Sequence, residues 1–452
     1  MPQAIGIRRE DSKQHGESRV AITPGLAGKL IAEGCRIILQ SGLDPVTGEG
    51  KRIFGDEQYL LAGAEIGEDL SQANVVIGLK EISPDLIQND KTYVLFSHTH
   101  KGQLKNRPML RQFVRQKSTV IDYELIRDDS GRRLVTAFTY FAGYAGMIDT
   151  LWTYGRRLLL EGHANPFSGI FQSAEFSNLE VSIAQVKTAG KEIAANGTPP
   201  ELPPLIICFL GTGKTSQGAR DIFNLLPGEQ IKPGQIADVM QSGSRMKVYH
   251  MVLEIDEMFR LIAGSGISPA VYDIWPREEK MKMYFSRPGE FESNLDTVLP
   301  GISILVNCTL WSPDFPRTLP KTLMQKVWQT GTPLRVIGDI SCDEEGSIGF
   351  SHQTWIDNPV FIYDPETDVS TEGWNGKGVA VMAVSNLPCE FPADSSVDFS
   401  KDFGEFASAI GHANFETRLE KSGLPDEIKR AIILWKGEFT PEFSYMKKFL
   451  SD

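Results

Sequence analysis

The passage from Leu205 to Leu226 constrains the fold of this chain more than any other. The apolar run Leu205-Ile-Ile-Cys-Phe-Leu210 ends in Gly211-Thr-Gly-Lys-Thr-Ser-Gln-Gly218, and Ala219, Ile222, Phe223 and Leu226 follow at helical spacing. A buried strand, a glycine turn and an amphipathic helix in direct succession open a doubly wound α/β unit. Turn glycines let main-chain amides and the helix N-terminus approach a pyrophosphate. Gly211, Gly213, Lys214, Thr215, Ser216 and Gly218 are therefore candidate cofactor-binding residues. Ser216 stands where a third glycine is usual. A nucleoside-triphosphate loop is a poor match, because four residues should separate its first glycine from a Gly-Lys pair.

The N-terminal part shows the same alternation. Strands are expected at 4–7, 35–40, 74–79, 93–96 and 118–122, with helices near 24–33 and 58–64. Two of these runs end in groups that carry chemistry. Val75-Val-Ile-Gly-Leu79 delivers Lys80 and Glu81, and Val94-Leu-Phe96 delivers His98 and His100. Open α/β sheets bind ligands at their carboxyl edge. An amine beside an imidazole at such an edge points to proton transfer at a carbonyl or imine. His100 should face away from His98 if the strand continues.

Residues 139–163 read as a buried connecting helix, whose small residues at 142, 143, 145 and 146 admit a close neighbour. A helix near 179–195 runs into a proline-rich linker that ends at Pro204. Further strands are expected at 302–308, 334–340 and 378–384, and the tail is expected to be helical from about Phe403 to the C-terminus. No acidic residue follows the strand end at Gln230 to accept from a ribose 2′-hydroxyl, and Lys232 tolerates a 2′-phosphate there. The expected cofactor is NADP, with NAD as the alternative.

At 452 residues the chain exceeds a single ordinary core, so two or three domains are expected. A net charge of −12 argues against nucleic acid or an anionic membrane as the main partner. No apolar run approaches the ~18 residues of a membrane span, and the N-terminus lacks a secretory apolar core. The five cysteines are scattered without a C-x-x-C pair, which suits reduced thiols and a cytoplasmic location, with no metal site expected.

Motifs along nearly the whole chain resemble the alanine dehydrogenase, transhydrogenase and saccharopine dehydrogenase superfamily, most of all its lysine–2-oxoglutarate reductase branch. They are Glu17-Ser-Arg-Val-Ala-Ile-Thr-Pro24, Gly78-Leu-Lys-Glu81, Phe96-Ser-His-Thr-His-Lys-Gly-Gln103, Ile121-Asp-Tyr-Glu124 and Phe141-Ala-Gly-Tyr-Ala-Gly-Met-Ile148. The glycine turn, Asp339-Ile-Ser-Cys-Asp343 and Ser385-Asn-Leu-Pro388 complete the set. The resemblance implies two Rossmann-like α/β domains with parallel sheets and a cleft between them. Residues 1–141 and 387–452 would form a discontinuous substrate domain, and residues 142–386 the dinucleotide-binding domain.

The reaction implied joins L-lysine to 2-oxoglutarate through an imine that NAD(P)H reduces to saccharopine. Small molecules are then the partners, and the oligomeric state stays open. His98 and Lys80 fit the acid/base roles. Glu17, Glu81 and Glu124 would tune them or receive the amine, and Arg19 would clamp a carboxylate. Gln103 is assigned to substrate, and Asp339 would face the nicotinamide or its ribose. Gly131-Arg-Arg133 carries one residue more than the family pattern, so Arg132, Arg133 or neither meets the keto acid. Ser385, before Asn-Leu-Pro, occupies a position that resembles an aspartate site in relatives. Two rival readings remain: an alanine dehydrogenase-like or other amino-acid/keto-acid oxidoreductase, and a non-catalytic nucleotide sensor.

Overall fold

The computed structural model describes residues 3–10, 16–43, 52–176 and 178–451. The chain forms two compact units, Met1–Phe138 with Pro392–Asp452, and Thr139–Phe391. Each is built on an eight-stranded sheet.

In the first unit six parallel strands lie in the order Thr119–Asp122, Thr92–Leu95, Val75–Ile77, Ala4–Ile7, Arg36–Leu39 and Glu65–Ile66. The three from Val75, Thr92 and Thr119 are buried along their full lengths, as apolar strands covered on both faces must be. The chain winds outward in opposite directions from Ala4–Ile7. Its carboxyl end therefore parts from that of Val75–Ile77 and opens a crevice.

The second unit repeats the plan. Its parallel strands run Val379–Met382, Val336–Asp339, Ile304–Asn307, Ile206–Leu210, Val248–Leu253 and Gly228–Gln230. Here the winding reverses between Ile206–Leu210 and Ile304–Asn307. Antiparallel strands Val360–Asp364 and Val369–Glu372 extend the far edge.

Three sequence expectations change. The tail is not helical throughout: Ile432–Trp435 pairs antiparallel with Thr119–Asp122, and Glu438–Phe439 turns back beside it. A four-residue apolar run carries no periodicity that separates strand from helix. The strand beside Ile206–Leu210 is Val248–Leu253, with Gly228–Gln230 outside it. Gln230 is thus not the strand end next to the glycine turn. Finally, the strand Thr92–Leu95 stops before His98, so alternation does not govern His98 and His100.

The helix Ala137–Leu160 carries the chain from the first unit into the second. A Cβ on Gly143 would lie 2.2 Å from the Thr215 carbonyl oxygen, and one on Gly218 would lie 2.4 Å from that of Tyr140. These glycines let Ala137–Leu160 touch the helix Lys214–Phe223 backbone to backbone. Gly218 thereby supplies the close packing that a third turn glycine usually gives.

Within the second unit a buried carboxyl pair ties Ala137–Leu160 to the turn Leu387–Glu390. Asp149 accepts from the Ser173 amide at 2.8 Å, and Gln172 Nε2 donates to Glu390 at 3.4 Å. Asp149 Oδ2 and Glu390 Oε2 are buried without a hydrogen-bond partner among the described residues, and each carboxyl lies within the field of the other. Burial raises both groups above the ordinary carboxylate range, and for Glu390 the Asp149 charge adds to it.

A raised folded-state value means that the native protein holds a proton the unfolded chain gives up. The contribution is whole below about pH 4 and is lost as pH rises through the folded values. Glu390→Gln should flatten the stability-against-pH curve and stabilise the protein by about 1–3 kcal/mol at pH 8 relative to wild type. Urea unfolding between pH 5 and pH 8 checks this, and an unchanged slope contradicts it.

Candidate functional site

At the carboxyl edge of the first unit the ends of four strands bring charged side chains together. Past Val75–Ile77 stand Lys80 and Glu81, and past Thr92–Leu95 stands His98. His98 adopts a left-handed backbone conformation, φ 50°, at the start of the short helical turn Thr99–Lys101. Non-glycine residues visit that region rarely, and strain of this kind gathers at functional sites. The turn aims the ring at Glu81, with Nδ1 2.7 Å from Oε1. That bond engages Nδ1 and presents Nε2 as the nitrogen that a substrate would meet. Burial works to raise the Glu81 carboxyl, but the His98 bond and charge, with Lys80, bring it down to about 2.

Glu17 and Arg19 form a buried bidentate pair. Arg19 Nε donates to Glu17 Oε1 at 2.8 Å and Nη2 to Oε2 at 2.7 Å. The guanidinium also lies 4.2 Å from the centre of the Phe138 ring. Burial alone would raise Glu17, yet the Arg19 charge and hydrogen bonds, with Lys80, lower it to about 2. Arg19 therefore presents its fork to Glu17.

Glu124 follows the strand Thr119–Asp122. Lys101 Nζ lies 2.8 Å from its carboxylate, Arg133 Nη1 3.6 Å and His100 Nε2 3.5 Å. The extra residue in Gly131-Arg-Arg133 thus separates two fates. Arg133 turns toward Glu124, whereas Arg132 is exposed and pairs with Asp128 at 3.0 Å. Gln103 is exposed and accepts from Asn106 at 3.2 Å. The ligand atoms of His100, Asp122 and Glu124 lie within 4.8 Å of one another, close enough to hold a metal ion. Lys101 and Arg133 already balance the Glu124 charge, which disfavours a further cation there.

Sequence reasoning missed Arg8 and Glu10, both beside Lys80. Glu10 accepts from the amides of Leu79 at 2.6 Å and Lys80 at 3.0 Å. Arg8 donates to the Lys80 carbonyl at 2.6 Å. The available signal was the position: these residues directly follow the central strand of a doubly wound sheet.

In the second unit Gly211 has φ 87° and Gly213 caps the ten-residue helix Lys214–Phe223. A Cβ on Gly213 would meet nothing within 4 Å, so the turn leaves open space beside the helix N-terminus. Strand, left-handed glycine and helix start fit the pyrophosphate of a dinucleotide. Lys214 lies 5.9 Å from the centre of the Tyr140 ring, and Ser216 is fully buried. Gly211 N–H donates to Leu253 O at 2.9 Å, so Glu254 directly follows the strand end beside the turn. Arg277 ion-pairs with Glu254. Lys232 follows the outer strand Gly228–Gln230 instead. The premise that no acidic residue stands at the ribose end is thereby corrected, because strand order in space differs from order in sequence.

Asp339 ends the strand Val336–Asp339 and accepts from Asn307 Nδ2 at 2.8 Å. Burial raises it to about 6 against the hydrogen bonds of Ser351 and Asn307. Among the described residues no helix is long and apolar enough to cross a membrane.

Comparison with known proteins agrees with this architecture. Residues 6–145 match the family model for the alanine dehydrogenase/PNT N-terminal domain. An alpha-aminoadipic semialdehyde synthase of Arabidopsis thaliana is 33% identical over 98% of this chain, which spans only 41% of that protein's length. A saccharopine dehydrogenase [NAD(+), L-lysine-forming] of Candida glabrata is 34% identical over 85% of this chain and 86% of its own. The solved structure of an L-alanine dehydrogenase covers 99% of this chain and 100% of its own with a TM-score of 0.61, at 18% identity, and so shares the fold. The chain belongs to the saccharopine dehydrogenase (L-lysine-forming) family, the lysine–2-oxoglutarate reductase branch of the alanine dehydrogenase/transhydrogenase superfamily.

Proposed function

We propose that the protein catalyses the reductive condensation of L-lysine with 2-oxoglutarate to saccharopine. The observation that carries this reading is Lys80 beside the His98–Glu81 pair at the carboxyl edge of the first sheet, in a chain of this family. A bound nicotinamide cofactor supplies the hydride.

Lys80 acts as the base that frees the incoming amine. The carboxylates of Glu17 and Glu81 lie close enough to Lys80 to feel its charge. The imidazole of His98, held through Nδ1 by Glu81, takes up and returns a proton at Nε2. Amine attack on the ketone gives a carbinolamine, and expulsion of water from it needs an acid at the hydroxyl, a role that protonated His98 fits. Arg133 is the better-placed of the two neighbouring arginines to meet a keto-acid carboxylate, through the Nη atoms that reach toward Glu124. Glu17 engages Arg19 Nε and Nη2, so a substrate carboxylate that met this fork would exchange with Glu17.

An alanine dehydrogenase-like reaction would use the same acid and base on a smaller substrate. The second cationic position at Arg133 favours a dicarboxylic keto acid over pyruvate. A non-catalytic nucleotide sensor has no use for a strained His98 bonded to Glu81.

NADPH oxidation should require both lysine and 2-oxoglutarate, with ornithine or ammonia in place of lysine, or pyruvate in place of the keto acid, supporting far less. His98→Ala should lower kcat by about 10²–10⁴-fold. Turnover with pyruvate and ammonia would move the protein to the alanine dehydrogenase side. Binding of NADPH without turnover of any pair would favour the sensor.

For the cofactor, Glu254 would accept from a ribose 2′-hydroxyl and favour NAD, while its partner Arg277 would meet a 2′-phosphate and admit NADP. Glu254→Gln should lower the NADH-to-NADPH ratio of kcat/KM by about tenfold, the loss of one charge-assisted hydrogen bond. A ratio that does not move contradicts the assignment.

A further inference from the structure

The strand Val75–Ile77 loses its ladder partner at a chemically sensitive place. Arg8 N–H donates to Ile77 O at 3.0 Å, and that is the last main-chain bond between Ala4–Ile7 and its neighbour. Beyond it, on the other side, Gly78 N–H donates to Val94 O at 3.0 Å and Phe96 N–H to Leu79 O at 2.9 Å. The amides of Leu79 and Lys80 and the carbonyls of Lys80 and Glu81 lie past that last bond, on the side of the first strand. Buried main-chain groups of that kind must be satisfied.

One ion pair satisfies all four. Glu10 Oε1 accepts from Leu79 N–H at 2.6 Å and Oε2 from Lys80 N–H at 3.0 Å. Arg8 Nη2 donates to Lys80 O at 2.6 Å and Glu81 O at 3.0 Å. The pair closes on itself, with Arg8 Nη2 2.9 Å from Glu10 Oε2 and side-chain exposures of 4% and 10%. Gly78 makes room for it: a Cβ there would lie 2.2 Å from Arg8 Nε. Four successive peptide units, from Gly78–Leu79 to Glu81–Ile82, are thus gripped by a carboxylate and a guanidinium of fixed shape. Glu81 in turn holds His98.

We propose that Arg8 and Glu10 are positioning residues that fix the main chain at Leu79–Glu81 and thereby set the direction of the Lys80 amine and of the Glu81–His98 pair. The inference rests on the reaction proposed above for its kinetic readout, though not for its chemical one. Glu10 and Arg8 act through main-chain atoms. A surplus charge pair that merely filled space would have no cause to engage both faces of the Lys80 peptide.

The test is Glu10→Gln in the full chain. The amide keeps the shape but replaces one accepting oxygen with an NH2 group, so one of the two main-chain donors loses its partner. Misdirection of the amine should lower kcat on the order of 10–100-fold with the KM for NADPH unchanged. In a Lys80→Ala background the same substitution should change kcat by less than about twofold, because groups that act as one unit are not additive. Independently of turnover, the rate at which acetic anhydride labels the Lys80 amine, followed against pH by mass spectrometry, should change at least about threefold while Lys187 on the other unit is unaffected.

Arg8→Lys, which keeps the charge but loses the fork, should reproduce the pattern if Glu10→Gln does not fold. Losses that add to that of Lys80→Ala, or unchanged labelling of Lys80, overturn the positioning role. Failure of both variants to fold overturns it too, since the pair is then a stability element. If the wild-type protein turns over neither lysine nor 2-oxoglutarate, the proposed reaction fails alone, and the labelling still decides this inference.

Discussion

The winding of the chain about the strand Ala4–Ile7 is the constraint on which the first unit depends. Parallel strands must be joined by crossovers, and those from Ala4–Ile7 go one way through Arg36–Leu39 and the other through Val75–Ile77. That divergence leaves the carboxyl end between two outgoing paths of the chain. Charged residues there can be half-buried yet reach a ligand, which a strand interior forbids. Lys80, Glu81, His98 and Glu124 all stand just past strand ends, and the same geometry in the second unit leaves the turn at Gly211 open.

Charge at this edge is arranged in neighbouring pairs. Glu10 meets Arg8, Glu17 meets Arg19, Glu81 meets His98, and Glu124 meets Lys101 and Arg133. A buried charge without a partner is strongly unfavourable, so the pairing is what lets so many ionisable groups share a small volume. It also keeps Glu81 and Glu17 ionised far below neutral pH.

Much of this was legible in the sequence, for physical reasons that also set its limit. Buried parallel strands are short apolar runs, and the charged residue after each run marks the carboxyl edge, so Lys80 and His98 could be read directly. The glycine turn was equally open, because strand, turn and helix are contiguous. What the sequence hid was adjacency in space. The strand Val248–Leu253 lies beside the turn although Gly228–Gln230 precedes it, which concealed Glu254. The strand Ile432–Trp435 joins a sheet more than 300 residues upstream, and four apolar residues cannot announce that. Arg132 and Arg133 parted only once folding gave each a different partner, Asp128 and Glu124. Arg8 and Glu10 serve main-chain groups seventy residues away, a role that no local pattern displays.

The central claim is that an amine and a keto acid are joined and then reduced at the site built around Lys80 and His98. The most direct measurement is the mass of the product formed from L-lysine, 2-oxoglutarate and NADPH carrying deuterium at the transferable position. The account predicts a single condensation product that contains both carbon skeletons and one deuterium on the former ketone carbon. Deuterated glutamate, or a product lacking the lysine skeleton, would contradict it.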